Sequence, residues 1–253
     1  YAAAGGLHQY VVPVALVWDE NGDTTATLES LRKIRSIDGE AEFVVQLDFN
    51  PPTDWYDNHA DARMAGVAGD EAVPCPASPV WLDASMAAFD RLIANLQEDP
   101  LGPSVTGFVL TGLRQGRWQG GESVDDSEVN VAAYRAWLER TYPDEGALKK
   151  AWGRDDATAA TAVPVAVAVG DTPATSFLRL EEDGPAIDYA RFRALATADA
   201  IAALASHVRE KAGEGPAIWA TYGYSFEMAT SATGHLALMA LLDSDLDGFF
   251  APV

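Results

Sequence analysis

The sequence predicts an α/β protein in which helices cover a parallel β-sheet. Strand-like and helix-like segments alternate along the chain, the pattern of strands joined by helical crossovers. VTGFVLTGL (105–113) is nearly all apolar, as a strand buried on both faces should be. Of the 253 residues, 48% are hydrophobic, enough for a sizeable core.

The elements follow in order. QYVVPVALVW (9–18) reads as a strand ending at the turn DENGD. TATLESLRKIRS places Leu28, Leu31 and Ile34 at helical spacing. EFVVQLDFN (42–50) is a strand stopped by Pro51 and Pro52, and a long loop follows it. Ser78-Pro79 starts a helix, with Ser as N-cap and Pro at the first helical position. Its stripe includes Met86, Phe89, Ile93 and Leu96. After the apolar strand comes the Gly-rich loop GLRQGRWQGGES (112–123). SEVNVAAYRAWLERTY is a helix with Tyr134, Trp137 and Leu138 facing inward. DEGALKKAWG is a shorter one closed by Gly153. Residues 154–187 read as an irregular excursion, and 188–213 as the longest helix, with Ile201, Leu204, Ala205 and Val208 on one face. PAIWATYGYS is a strand, GHLALMALLDS a helix, and LDGFFAPV a last strand.

That makes about five strands. An open doubly wound sheet needs no more, whereas a closed eight-stranded barrel needs about three more. No Gly-x-Gly-x-x-Gly turn joins a strand to a helix, and there is no P-loop.

Charge excludes some partners. The 38 Asp and Glu outnumber the 17 Lys and Arg, for a net charge of -21. Lysine occurs only at Lys33, Lys149, Lys150 and Lys211. Such a surface repels nucleic acid and anionic membranes, and it fits either solvation in high salt or a cationic partner. The single cysteine, Cys75, forms no intrachain disulfide and reads as a buried or incidental thiol. No apolar run approaches the about 20 residues that span a bilayer, so a soluble protein is expected, extracellular or cytoplasmic. The sequence opens on Tyr1 rather than Met, which suggests a segment of something longer.

In parallel α/β folds, ligands lie beyond the C-terminal ends of the strands. Those ends carry Asp48, Asn50, Trp55 and Tyr56, then Arg114, Arg117 and Trp118, then Tyr222 and Tyr224. Aromatic faces interspersed with carboxylates and guanidinium groups suit sugar rings, and these nine residues are the candidate substrate contacts. Trp55 and Trp118 would equally serve as packing. Glycoside hydrolysis needs two carboxyl groups flanking one bond, and Glu122 and Glu227 lie just past strand ends. Each alone also fits a surface acid. His8, His59, His207 and His235 lack metal-ligand spacing, so neither metal nor cofactor is expected. His235, in TGHLAL, reads as a cap or packing residue at a helix start.

Several stretches carry a family likeness. ASPVWLDASMAAFDRLIANLQEDPLGPSVTGFVLTGLRQGRWQ resembles a stretch of the family 42, β-galactosidase-like, glycoside hydrolases and their unclassified relatives. YRAWLERTYPDEGALKKAWG, the long helix from Ile187, YGYSFE and GHLALMALLDSDLDGFFAPV are similar to further stretches of that family, in the same order. The resemblance covers roughly residues 42–253. It implies a (β/α)8 TIM-type barrel of the retaining-glycosidase clan, incomplete here. On that reading, residues 1–253 are one barrel domain or most of one. The remaining strands would come from the same longer polypeptide or another chain.

The sequence departs from the family in two ways. The family's acid/base glutamate stands in a Gly-Glu-Trp turn, and here Gly116-Arg117-Trp118 puts arginine in its place. Arginine stays protonated at any working pH and cannot cycle the proton. The family's nucleophilic glutamate is expected beyond Val253. The resemblance therefore implies a carbohydrate partner and a glycoside hydrolase-like barrel for galactosides or related polysaccharides, acidic ones included. The alternative is an inactive barrel that binds carbohydrate or supports an assembly.

Overall fold

A computed structural model describes residues 3–24, 26–66, 72–120, 124–166, 179–222 and 235–250. Among the described residues, five strands form one sheet: β1 (Gln9–Val14), β2 (Glu42–Asp48), β3 (Val105–Thr111), β4 (Ala217–Ala220) and β5 (Gly248–Phe249). All neighbours pair in parallel, and the spatial order is the chain order. A doubly wound sheet reverses its order part-way; this one does not, which is the winding of a barrel wall.

The pleat separates two faces. Val12 and Val14 of β1, Phe43, Val45 and Leu47 of β2, Phe108 and Leu110 of β3, and Ile218 and Ala220 of β4 point to the helices. There they meet Leu31 of α1 (Glu29–Ile37), Trp81, Phe89, Leu92 and Leu96 of α2 (Pro79–Glu98), and Ile201, Leu204 and Val208 of α5 (Leu180–Ala212). The other face carries Val11, Pro13, Gln46 and Asp48, which stay wholly or partly exposed among the described residues. Pro13 is tolerated because β1 is an edge strand here and its missing N–H breaks no ladder.

Helix starts follow the sequence chemistry. Ser78 accepts the Trp81 N–H through Oγ and caps α2. Ser127 and Asp144 do the same for α3 (Glu128–Thr141) and α4 (Glu145–Trp152), and Gly153 closes α4. Tyr134 and Leu138 are fully buried, as the spacing predicts, with Trp137 partly so. They build a second cluster with Leu148, Trp152, Tyr189 and Phe192.

Several boundaries differ from expectation: the first strand ends at Val14, not Trp18, and the last keeps only Gly248–Phe249 among the described residues. The longest helix starts at Leu180, not Asp188, and runs through Pro185. The last helix shrinks to a 3-10 turn, His235–Ala237, and one turn of α-helix, α6 (Leu238–Leu241).

Candidate functional site

The loops after β2 and β3 converge at the C-terminal end of the sheet. Asp48 closes β2 with its side chain exposed in a concave setting, and partial desolvation there holds its carboxyl above the usual carboxylate range. Its Oδ1 accepts the Asn50 N–H at 3.1 Å, which partly offsets that rise. Trp55 is half-buried; His59 stacks on it at 4.0 Å and Trp18 meets it edge-on at 5.7 Å. Tyr56 is buried, and its phenol is pushed up, chiefly by burial.

Among the described residues, three buried polar atoms at this end have no hydrogen-bond partner: Asn50 Oδ1, Tyr56 Oη and Arg114 Nε. An unsatisfied buried polar group costs about 1–3 kcal/mol, so such a group needs a water or a ligand.

The loop after β3 is held in a tight fold. Leu113, Gln115 and Trp118 each have φ of 56°, a left-handed conformation costing about 1 kcal/mol or more per residue. Arg114 and Gln119 form an antiparallel bridge across its base. Outside side chains then take three of its carbonyls. Asn50 Nδ2 donates to Leu113 at 2.9 Å, Thr221 Oγ1 to Gly116 at 2.6 Å, and His235 Nε2 to Arg117 at 2.6 Å. A carbonyl only accepts, so His235 carries its proton on Nε2. Burial holds the His235 imidazole below its ordinary range, although the backbone at Arg117 and Trp118 favours the proton.

Two predicted contacts turn out to be packing. Trp118 is fully buried; its indole N–H goes to the Leu110 carbonyl at 2.9 Å, and its ring meets Trp81 edge-on. It fits only because position 112 is glycine, where a Cβ would lie 2.8 Å from the ring. Tyr222 is also fully buried, packed on His235 at 4.2 Å with its oxygen accepting the Ala237 N–H. Tyr222 was expected to touch substrate, and packing was the equal alternative for Trp118; both side chains are buried in the fold. Arg114 and Arg117 are half-buried in the loop itself. Glu122, Tyr224 and Glu227 lie outside the described residues.

Sequence reasoning missed His235 and Thr221 as loop supports. It also missed Arg193 of α5, whose side chain reaches the loop within 3.4 Å of where a Cβ on Gly120 would stand. A threonine directly before a strand-end tyrosine was the available signal for Thr221. No local pattern marks the other two. Among the described residues, no group of three His, Cys, Asp or Glu side chains could hold a metal ion. A cleft of about 450 Å³ lies between α4 and α5. Its buried carboxylate, Asp188, already accepts from Tyr142 Oη at 2.6 Å and Trp152 Nε1 at 2.9 Å.

No known family profile matches the sequence, and no curated protein matches it. Solved structures do. The chain is similar to the β-galactosidase of the Antarctic haloarchaeon Halorubrum lacusprofundi, with TM-score 0.68 and 18% identity, over 99% of this chain and 36% of that one. The catalytic domain of the Paenibacillus polymyxa β-amylase gives TM-score 0.70 at 16% identity, over 98% of this chain and 70% of that one. An exo-carrageenase of glycoside hydrolase family 42 from Bacteroides ovatus gives 0.60 at 13%, over 97% and 32%. The fold is that of the TIM-barrel glycosidases. The likeness the motifs suggested is thus present in the fold, and at these identities the fold is what it shows. The chain spans about a third of the length of the family 42 β-galactosidases it matches. No described helix is long and apolar enough to cross a membrane.

Proposed function

We propose that the C-terminal mouth of this barrel wall binds a saccharide, as part of a glycoside hydrolase-type protein for galactosides or related polysaccharides. The observation that carries this is the meeting of Asp48 and Asn50, at the end of β2, with the strained loop that bears Arg114 and Arg117, through the Asn50 Nδ2 bond to the Leu113 carbonyl. Sugar hydroxyls donate and accept, so they suit the exposed Asp48 carboxyl and the half-buried Asn50, Arg114 and Arg117 side chains. Trp55 offers apolar surface for a sugar face. Trp118 and Tyr222 shape the floor without touching the ligand.

The chemistry depends on Arg117. Retaining hydrolysis needs an acid and a nucleophile about 5–5.5 Å apart, and a guanidinium cannot fill the acid's role. We assign that role to Glu122, five positions after Arg117 in the sequence, with Glu227 as a second candidate carboxyl group. A second reading, binding without hydrolysis, is favoured by Arg117 itself. A fixed cation at the acid's position suits a sulfate or carboxylate on an acidic sugar.

The test is turnover of aryl galactosides with good leaving groups, by the full-length protein and its Arg117→Glu variant. Such leaving groups need little acid help, so a working nucleophile shows itself. Turnover by the wild type supports the hydrolase; turnover by the variant alone supports the binding barrel. Silence in both, with no saccharide binding by calorimetry, overturns the proposal.

A further inference from the structure

We propose that His235, with Thr221 beside it, is the positioning residue that fixes Arg117 at the mouth. This rests on the reading above, in which Arg117 faces the ligand.

The loop's own backbone bonds, Trp118 N–H to the Gly112 carbonyl at 2.8 Å and Arg114 N–H to the Gln119 carbonyl at 3.2 Å, close a strained shape. Three residues with side chains sit at φ of 56° between positions 113 and 118, and Gly116 at 65° joins them. Left to itself such a run relaxes toward ordinary backbone, because each left-handed residue is disfavoured. Its anchors come from different β/α units: Asn50 from the end of β2, Trp118 through the β3 carbonyl of Leu110, Thr221 from the end of β4, and His235 from the turn beyond. Asn50 and Trp118 hold the two sides of the loop. Thr221 and His235 hold its tip, at the consecutive carbonyls of Gly116 and Arg117, both at 2.6 Å.

His235 is built for this task. It is 2% exposed, so water does not compete for its N–H. The Tyr222 ring lies against it at 4.2 Å and an interplanar angle of 30°, which fixes the direction in which Nε2 points. Tyr222 is in turn held by the Ala237 N–H, two residues past His235. The imidazole, the tyrosine and the turn therefore form one block behind the Arg117 peptide. Fixing that peptide fixes where the guanidinium's stem begins.

The experiment compares His235→Ala and His235→Gln in the full-length protein. The first readout is amide hydrogen exchange. Loss of the bond in His235→Ala should speed exchange across 112–119 by roughly 10- to 100-fold, the range for an unmade buried hydrogen bond. Amides of α2 (79–98) should stay within about 2-fold of wild type. In His235→Gln the side-chain N–H can reach the same carbonyl, and protection should return at least half-way on a logarithmic scale. Uniform loss of protection, no loss at all, or equal behaviour of the two variants would each overturn the assignment.

The second readout is affinity for a sulfated galactan oligosaccharide, which should fall in His235→Ala and recover in His235→Gln. If the wild type binds no saccharide, the functional reading fails while the exchange data still decide the role of His235. If binding occurs and the loop is released without change in affinity, the positioning role fails and the functional reading stands.

Discussion

Arg117 and the residues around it show how little room one loop has for exchange. Gly112 is needed because the Trp118 ring occupies the place of its Cβ. Gly112→Ala should therefore destabilise the fold by about 1–3 kcal/mol, the range for overpacking, read as a lower urea midpoint with an unchanged slope. His235 makes a pH prediction whose sign follows from its burial. Its folded pKa lies below the ordinary 6.5, so the unfolded chain takes up a proton before the folded one does. Stability is then complete above about 6.5 and is lost as pH falls from there toward the folded value. Tyr222, pushed up to about 12 by burial, stays neutral throughout this window. Urea midpoints at pH 7.5 and 5.5 should fall further apart in wild type than in His235→Gln. The role of His235 was not legible in the sequence, because it acts on a carbonyl more than a hundred positions away, and Thr221 was marked only by its place before a strand-end tyrosine. Asp48 and Asn50 were legible as strand-end residues. That Trp118 and Tyr222 face inward was not, since an aromatic after a strand fits a rim and a floor equally well.

At the scale of elements, hydrophobic spacing located the helices and turn chemistry ended them. Ser78, Pro79 and Gly153 mark boundaries that the structure keeps. The exception is the start of α5, where Gly184 and Pro185 lie in the stretch read as an irregular excursion. Tertiary contacts keep them helical. Tyr134 Oη donates to the Pro185 carbonyl, and Gly184 lets α4 approach so closely that a Cβ there would lie 3.0 Å from Trp152 and from the Ala151 carbonyl. Asp188 then ties α4 and the end of α3 to α5 through Tyr142 and Trp152. Asp188→Ala should cost about 2–6 kcal/mol, since it leaves two donors unpaired at about 1–3 kcal/mol each. Asp188→Asn should recover part of this, because its amide oxygen still accepts. Equilibrium denaturation of the two variants checks the order.

Over the whole molecule, the parallel sheet was legible because five strands alternate with helices, whereas its single winding was implied only by the family resemblance, since alternation fits an open doubly wound sheet equally well. The sheet's second face was not, because exposure of Val11, Pro13 and Asp48 depends on what else lies against it. Charge acts at this scale too. With a net charge of -21 the folded state repels itself, and salt screens that repulsion. The melting temperature should rise between 0.05 and 1 M KCl, by several degrees for each 1 kcal/mol relieved in a chain of this size. A flat or falling profile would mean that the acidic residues are not a net destabilising load. The same charge opposes an acidic saccharide at long range. Screening at physiological ionic strength reaches about 8 Å, so contact with Arg114 and Arg117 outweighs the distant carboxylates once the ligand is seated.

That balance sets the most direct measurement: calorimetric titration of the full-length protein, at physiological ionic strength, with a sulfated galactan oligosaccharide and its desulfated counterpart. The comparison is repeated on Arg117→Ala. The account predicts that wild type binds both, with the sulfated ligand held roughly 10- to 100-fold tighter, as a charge-assisted contact allows. It predicts that Arg117→Ala loses this preference and keeps its affinity for the neutral ligand. Binding of neither sugar, or a sulfate preference that survives in Arg117→Ala, would contradict it.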